Sequence, residues 1–222
     1  MSTPAIDTKD DLIYKQFLDA LIKGDRNQCS RVSNALLERQ ASVQDIYEDL
    51  IRKAMYDIGE LWEQGKISVA TEHMASAIAE ALINEFYVKV IAGQKINQTV
   101  VVGCVENEYH QIGIKMVADI FELNGWNAHF LGANTPTREF VQFVEEIQPD
   151  MVALSLSLYF NLPYLEKMLQ AIREEFPELF VLVGGQAFRH GGKEVLNAYR
   201  NISYQPDLKS VELFIKKINN HG

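Results

Sequence analysis

From Asp10 to about Ile91 the apolar residues recur three or four positions apart. Leu12, Phe17, Leu18, Leu21 and Ile22 form one series, Val32, Leu36 and Leu37 a second, and Ile46, Leu50, Ile51, Met55, Ile58 and Leu61 a third. This spacing puts side chains on one face of an α-helix. It predicts helices over residues 10–23, 26–39, 43–64 and 69–91. Gly24 and Gly65 fall where helices should stop, and Ser42 and Ser68 stand where the third and fourth need N-caps. The expected product is a four-helix bundle over residues 1–92.

After the polar segment AGQKINQ, residues 92–98, the period changes. TVVVGCV, MVALSLS and FVLVGG are continuous apolar runs of strand length, as strands buried on both faces require, while WNAHFLG is shorter and more mixed. A weak fifth strand is expected near Ile202. Helical stretches lie between them, over 110–124, 136–147, 161–175, 192–199 and 207–219. Alternating strands and helices imply right-handed crossovers and a parallel sheet covered on both sides. The fold class predicted is α/β: the bundle, then a doubly wound, flavodoxin-like domain with a five-stranded parallel sheet over 98–222.

The composition narrows the function. A formal charge of -9 over 222 residues disfavours direct binding to nucleic acid or to an anionic membrane, both of which need clustered Lys and Arg. The start, MSTPAIDTKDD, lacks the basic-then-apolar order of a signal peptide, and no apolar run approaches the roughly 18 residues of a membrane span. A cytoplasmic protein is expected. Cys29 and Cys104 are the only cysteines and lie outside any CxxC or Cys/His cluster, so neither a disulfide framework nor a zinc site is suggested.

In open parallel sheets, ligands bind outside the carboxyl ends of the strands, where strand order reverses. Three segments stand at such ends: ENEYHQIG with Glu108, His110 and Gly113, then Ser155 to Ser157, then Gly184 and Gly185. Singly, a loop histidine or a Gly-Gly turn means little. Together they describe a nitrogen ligand at one strand end, a hydroxyl at the next and a gap without side chains at a third.

Glu108-x-His110-x-x-Gly113, the Ser155 strand end and Gly184-Gly185 resemble the D/E-x-H-x-x-G, S-x-L and G-G signature of cobalamin-binding domains, and LGANTP at 131–136 resembles that family's second strand exit. The resemblance covers the chain from about residue 10. It implies that His110 is the lower axial ligand of cobalt and Glu108 the partner of its imidazole. It also implies that the displaced benzimidazole tail lies beside Ser155 and the glycine pair. Where the family has the leucine of S-x-L, this chain has Ser157. Tyr109 is a candidate for packing on the corrin edge, and Tyr159, Phe160 and Asn161 for its periphery. His129 reads as a structural strand residue, His190 as a loop residue and His221 as part of the tail.

The corner WEQGKISVATEH, residues 62–73, carries Trp62, Glu72 and His73. Its plainer reading is a core anchor followed by an acidic helix start. Adjacent helical residues point about 100° apart, so spacing alone would not bring Glu72 and His73 together. The pattern W-x9-E-H, however, resembles the motif of cobalamin photosensors of the CarH and LitR kind, where it covers the upper ligand of adenosylcobalamin. By that resemblance the indole packs over the cobalt and the polar pair holds the adenosyl group. Those proteins also carry a DNA-binding winged helix and a histidine that ligates cobalt from above after photolysis. This chain shows no winged helix, and Glu63 follows Trp62.

The leading expectation is therefore a light-responsive adenosylcobalamin sensor that signals through a protein partner, a regulator, or a change of homo-oligomer. The alternative is a corrinoid protein carrying a methyl group for a methyltransferase, with methylcobalamin as the loaded form. Either is a carrier or sensor rather than a stand-alone catalyst.

Overall fold

The computed structural model describes residues 8–90, 95–189 and 191–220, with side chains from Asp11 onward. His190, His221 and residues 92–94 of the segment expected to link the two halves lie outside the described residues. The chain divides into two units, Met1–Lys89 and Val90–Gly222.

In the first unit, α1 (Thr8–Lys23) packs on α2 (Arg26–Glu38) and on α4 (Lys53–Glu63). The helix expected over 43–64 is one path in three pieces: α3 (Val43–Asp45), a π-helical segment (Ile46–Arg52) and α4. Ser42 caps it as expected, its hydroxyl accepting from the Asp45 N–H at 3.0 Å while the Asp45 carboxylate accepts from the Ser42 N–H at 3.1 Å. Periodicity does not foretell the π segment. Its wider turn brings Ile46, Tyr47, Leu50 and Ile51 inward and buries Glu48 with them, whose charge is met by Arg52 at 2.5 Å. The fourth helix, α5 (Val69–Val90), reaches this segment through Phe86 against Tyr47 and reaches α2 through the Ser30–Glu85 hydrogen bond.

In the second unit, β1 (Thr99–Cys104), β2 (Asn127–Gly132), β3 (Met151–Ser155), β4 (Phe180–Gly184) and β5 (Ile202–Tyr204) form an all-parallel sheet in the order β2-β1-β3-β4-β5. α6 (Ile112–Leu123), α7 (Thr137–Ile147), α8 (Leu162–Glu175) and α9 (Leu208–Asn219) flank it. Val101, Val152, Leu154, Val181 and Val183 pack with Phe140 and Val144 of α7 and with Leu165, Met168, Leu169 and Ile172 of α8. The alternate strand residues Val100, Val102, Ala153 and Leu182 are buried as well. Successive strand residues point to opposite faces, so these need cover on the other side, where α6 packs on α9 and the Trp126 indole donates to Asn219 at 3.0 Å.

Two element boundaries differ from expectation. The helix foreseen from residue 110 begins at Ile112, because residues 105–111 are drawn into the loop described below. The stretch over 192–199 is a 3-10 helix, Lys193–Ala198. It is entered from Gly192 in a left-handed conformation without a side-chain cap and runs into extended backbone at Tyr199, too short for α-helical bonding to become established. No described helix is long and apolar enough to cross a membrane.

Candidate functional site

The strand order reverses between β1 and β3, since the chain goes from β1 outward to β2 and then returns to the other side of β1. The exits of β1 and β3 therefore flank the crevice. Register sets Cys104, Ser155 and Gly184 side by side at the three central exits. Backbone bonds continue past the strands: Val105 N–H donates to Ser155 O at 3.1 Å, and Leu156 N–H to Gly184 O at 3.0 Å.

At the exit of β1, Glu108 is fully buried and His110 half exposed. Glu108 Oε1 accepts from the His110 backbone N–H at 3.1 Å and lies 2.5 Å from His110 Nδ1. Its Oε2 accepts from the backbone N–H groups of Ser157 at 2.9 Å and Leu158 at 2.8 Å, and more weakly from Asn161 Nδ2 at 3.4 Å. Burial alone would push this carboxyl up. The bonds from the His110 ring, Leu158 N–H and His110 N–H outweigh it and hold the group down at about 2. Glu108 is thus a carboxylate that can only accept, so the proton facing it sits on Nδ1 of His110 and the lone pair is left at Nε2, the nitrogen suited to a metal.

Below the loop, Cys104 Sγ contacts His110 O at 3.6 Å. Burial and the Glu108 charge push its thiol up to about 12, so it stays protonated and adds no thiolate ligand. Among the described residues, no group of three or more His, Cys, Asp or Glu could hold a metal ion. One oriented imidazole suits a metal whose remaining positions are filled by a macrocycle it brings with it.

Ser155 is largely buried at the exit of β3, beside Gly184 in register. Gly113 lies in the first turn of α6, where glycine is a poor helix former, yet a Cβ there would meet nothing within 4 Å. The chain's own packing does not require that glycine. Gly185 is the opposite case: a Cβ would lie 2.1 Å from Leu156 O, and the backbone has φ +114°. Its smallness serves the close approach of the β3 and β4 exits. At Gly184 a Cβ would lie 3.0 Å from Gln205 O.

Sequence reading missed the residues that hold the loop. Asn134, after β2, donates its N–H to Glu108 O at 2.9 Å, and its side chain bonds Asn107 N–H at 2.9 Å and the Tyr109 hydroxyl at 3.0 Å. Asn161, named only as a rim residue, is buried and donates to Asn107 O at 3.1 Å. Glu106 accepts from Lys167 at 2.8 Å and from the Thr137 hydroxyl at 2.6 Å, which keep its carboxyl below the usual range. The signal available was a run of asparagines at strand exits, where left-handed backbone is tolerated. Asn107 and Asn134 have φ 66° and 53°.

In the helical unit, the corner is built as the glycine and serine suggest. Lys66 N–H donates to Leu61 O at 2.8 Å and Gly65 N–H to Trp62 O at 2.9 Å, the paired closure that needs a left-handed residue, here Gly65 at φ +67°. Ser68 then caps α5, accepting from Thr71 N–H at 3.1 Å. Trp62 is 47% exposed and is not a core anchor. Glu72 and His73 do meet, contrary to the expectation from helical spacing: Glu72 Oε2 lies 2.6 Å from His73 Nδ1, and Oε1 accepts from Ser76 at 2.9 Å. The length of the glutamate side chain lets its carboxylate reach the neighbouring ring. His129 lies in β2 with its ring edge-on to Phe143, as a structural residue would.

Residues 98–204 match the profile of a B12 binding domain, and residues 13–86 match a second B12 binding domain profile. The chain is 25% identical over 179 residues to dimethylamine corrinoid protein 2 of Methanosarcina acetivorans, covering 78% of this chain and 83% of that protein. It is 28% identical over 162 residues to the HTH-type transcriptional repressor CarH of Myxococcus xanthus, covering 72% of this chain and 54% of the repressor. Among solved structures, the monomethylamine corrinoid protein of Methanosarcina barkeri matches with a TM-score of 0.80 at 14% identity, over 94% of this chain and 99% of that one. A chain of the methanol:cobalamin methyltransferase complex from Methanosarcina barkeri matches with a TM-score of 0.52 at 20% identity, over 96% of this chain and 81% of that one. At these identities the structural likeness is one of fold.

Proposed function

The chain belongs to the B12 binding domain proteins and takes cobalamin as its cofactor, and from that premise we propose that it is a corrinoid protein carrying a methyl group for a partner methyltransferase. The observation that carries this reading is the similarity to dimethylamine corrinoid proteins, which spans most of both chains. The light sensor expected first from the sequence becomes the second reading. It is favoured by Trp62, Glu72 and His73, of which the indole is exposed and the other two are bonded to each other.

When bound, cobalamin supplies a cobalt centre able to take up and release a methyl group. In this proposal His110 Nε2 would hold the cobalt, and Glu108 would accept the Nδ1 proton so that the ring presents the correct nitrogen. Ser155, Gly184 and Gly185 would hold the cofactor's tail, and Gly113 would leave room for it. Tyr109 and Ser157 would border the corrin.

The test is reconstitution in the dark with methylcobalamin and with adenosylcobalamin, followed by absorption spectra and elution volume before and after green light. A carrier is expected to hold histidine-ligated methylcobalamin with no light-driven change of assembly. Photoconversion of the adenosyl form with a change of assembly would move the assignment to the sensor. His110→Ala is expected to lose the histidine-ligated spectrum, and an unchanged spectrum would remove His110 as ligand.

Gly113→Ala separates fold from function. Replacing glycine by alanine inside a helix gains up to about 1 kcal/mol, and no described atom opposes the new methyl. The cofactor-free variant is expected to melt at or above the parent, while its affinity for cobalamin falls. Unchanged affinity would show that the space over Gly113 is not used.

A further inference from the structure

The loop that presents His110 emerges from β1 and is exposed at its tip, with Tyr109 66% exposed. One flank is held to β3 by the Glu108 carboxylate. The other flank has an anchor of a different kind. Asn134, two residues beyond β2, bonds the three residues preceding His110 one by one: its Oδ1 accepts from Asn107 N–H, its own N–H donates to Glu108 O, and its Nδ2 donates to the Tyr109 hydroxyl. The amide orientation follows from chemistry, since the Asn107 N–H can only donate and must face the oxygen, which leaves the NH2 group toward Tyr109.

We propose that Asn134 is a positioning residue for the cobalt ligand, and that its bond to Tyr109 forms a latch holding His110 in the ligating position. The inference rests on the reading of His110 as lower ligand. Asn134 does not touch the imidazole. It acts by holding residues 107–109 against the exit of β2, so that opposite sides of the loop are held to neighbouring strands. Losing its side chain removes the bonds to Asn107 N–H and to the Tyr109 hydroxyl, so that the β2 flank of residues 107–109 is tied only through the Asn134 backbone N–H, and His110 then spends more time away from the metal. The two side-chain hydrogen bonds to Asn107 and Tyr109 are what is at stake.

The experiment compares parent, Asn134→Ala, Asn134→Asp and Tyr109→Phe, each as the full chain labelled with 15N-histidine and loaded with cob(II)alamin. The nitrogen splitting in the electron spin resonance spectrum gives the histidine-ligated fraction, and thermal melts of the cofactor-free proteins report the fold. Asn134→Ala is expected to lower the ligation equilibrium about tenfold, and Tyr109→Phe about threefold, since it removes one bond at an exposed position. Asn134→Asp should restore ligation, because a carboxylate accepts from the Asn107 N–H and from a Tyr109 hydroxyl turned to donate. Ligation unchanged in both Asn134→Ala and Tyr109→Phe, with the parent ligated by histidine, would overturn the latch and leave the ligand assignment standing. A parent without histidine splitting would overturn the ligand assignment and the latch with it.

Discussion

Replacing Glu108 with alanine is expected to cost the cofactor-free protein about 3–5 kcal/mol, the range found when one partner of a buried charged network is removed. The carboxylate is fully buried, and the substitution leaves the N–H groups of His110, Ser157 and Leu158 and the His110 ring without their acceptor. Each buried donor left unsatisfied costs about 1–3 kcal/mol. A urea titration followed by far-UV circular dichroism checks it, and a loss below about 1 kcal/mol would mean that water replaces the carboxylate without penalty. The pH dependence has a definite sign. Glu108 is depressed from 4.5 to about 2, so its stabilisation is fully present above the ordinary carboxylate range and is lost as pH falls toward 2. Parent and variant should therefore converge in stability in strong acid. Glu108→Gln is milder for the fold and more telling for the site. Its amide must turn the NH2 group toward either the Ser157 and Leu158 amides or His110; the His110 side forfeits one backbone bond instead of two, and there the imidazole adapts by carrying its proton on Nε2. That tautomer has no lone pair for cobalt, so the glutamine variant should fold and still lose histidine ligation.

This dual role of Glu108 marks how far the sequence can be read. The motif around His110 pointed to a carboxylate serving the imidazole, and the structure places the two together. Nothing in the residue types at 157 and 158 announced that their backbone N–H groups would close on the same carboxylate, because every residue except proline carries that donor. The helices were legible for the opposite reason. Leu50, Ile51 and Ile58 are buried side chains whose recurrence is written in residue type. The π-helical turn at Ile46–Arg52 changes hydrogen bonding without changing that recurrence much, and so left no trace. Asn134 stands inside LGANTP, the exit of β2, but its bonds join segments more than twenty residues apart in sequence, which local periodicity does not encode.

The glycine pair carries the same lesson into the second large effect. Gly185→Ala is expected to destabilise the sheet domain by about 4 kcal/mol. A left-handed φ of +114° costs an L-residue about 1–3 kcal/mol, and the new methyl would stand inside the contact distance of Leu156 O, C and N. Those are backbone atoms, which yield only if the strand exits separate. Separation breaks the bonds from Leu156 N–H to Gly184 O and from Ala187 N–H to Leu156 O, each worth about 1 kcal/mol. The damage also has a direction. Leu156 is followed at once by Ser157 and Leu158, whose N–H groups hold Glu108, so displacing it loosens the carboxylate that orients His110. Thermal unfolding of the variant, paired with the histidine-ligated fraction of any protein that still folds, checks both parts. A variant that melts with the parent and ligates cobalt normally would mean that the β3 and β4 exits separate without cost, and that neither the chain nor the ligand loop requires a glycine at 185.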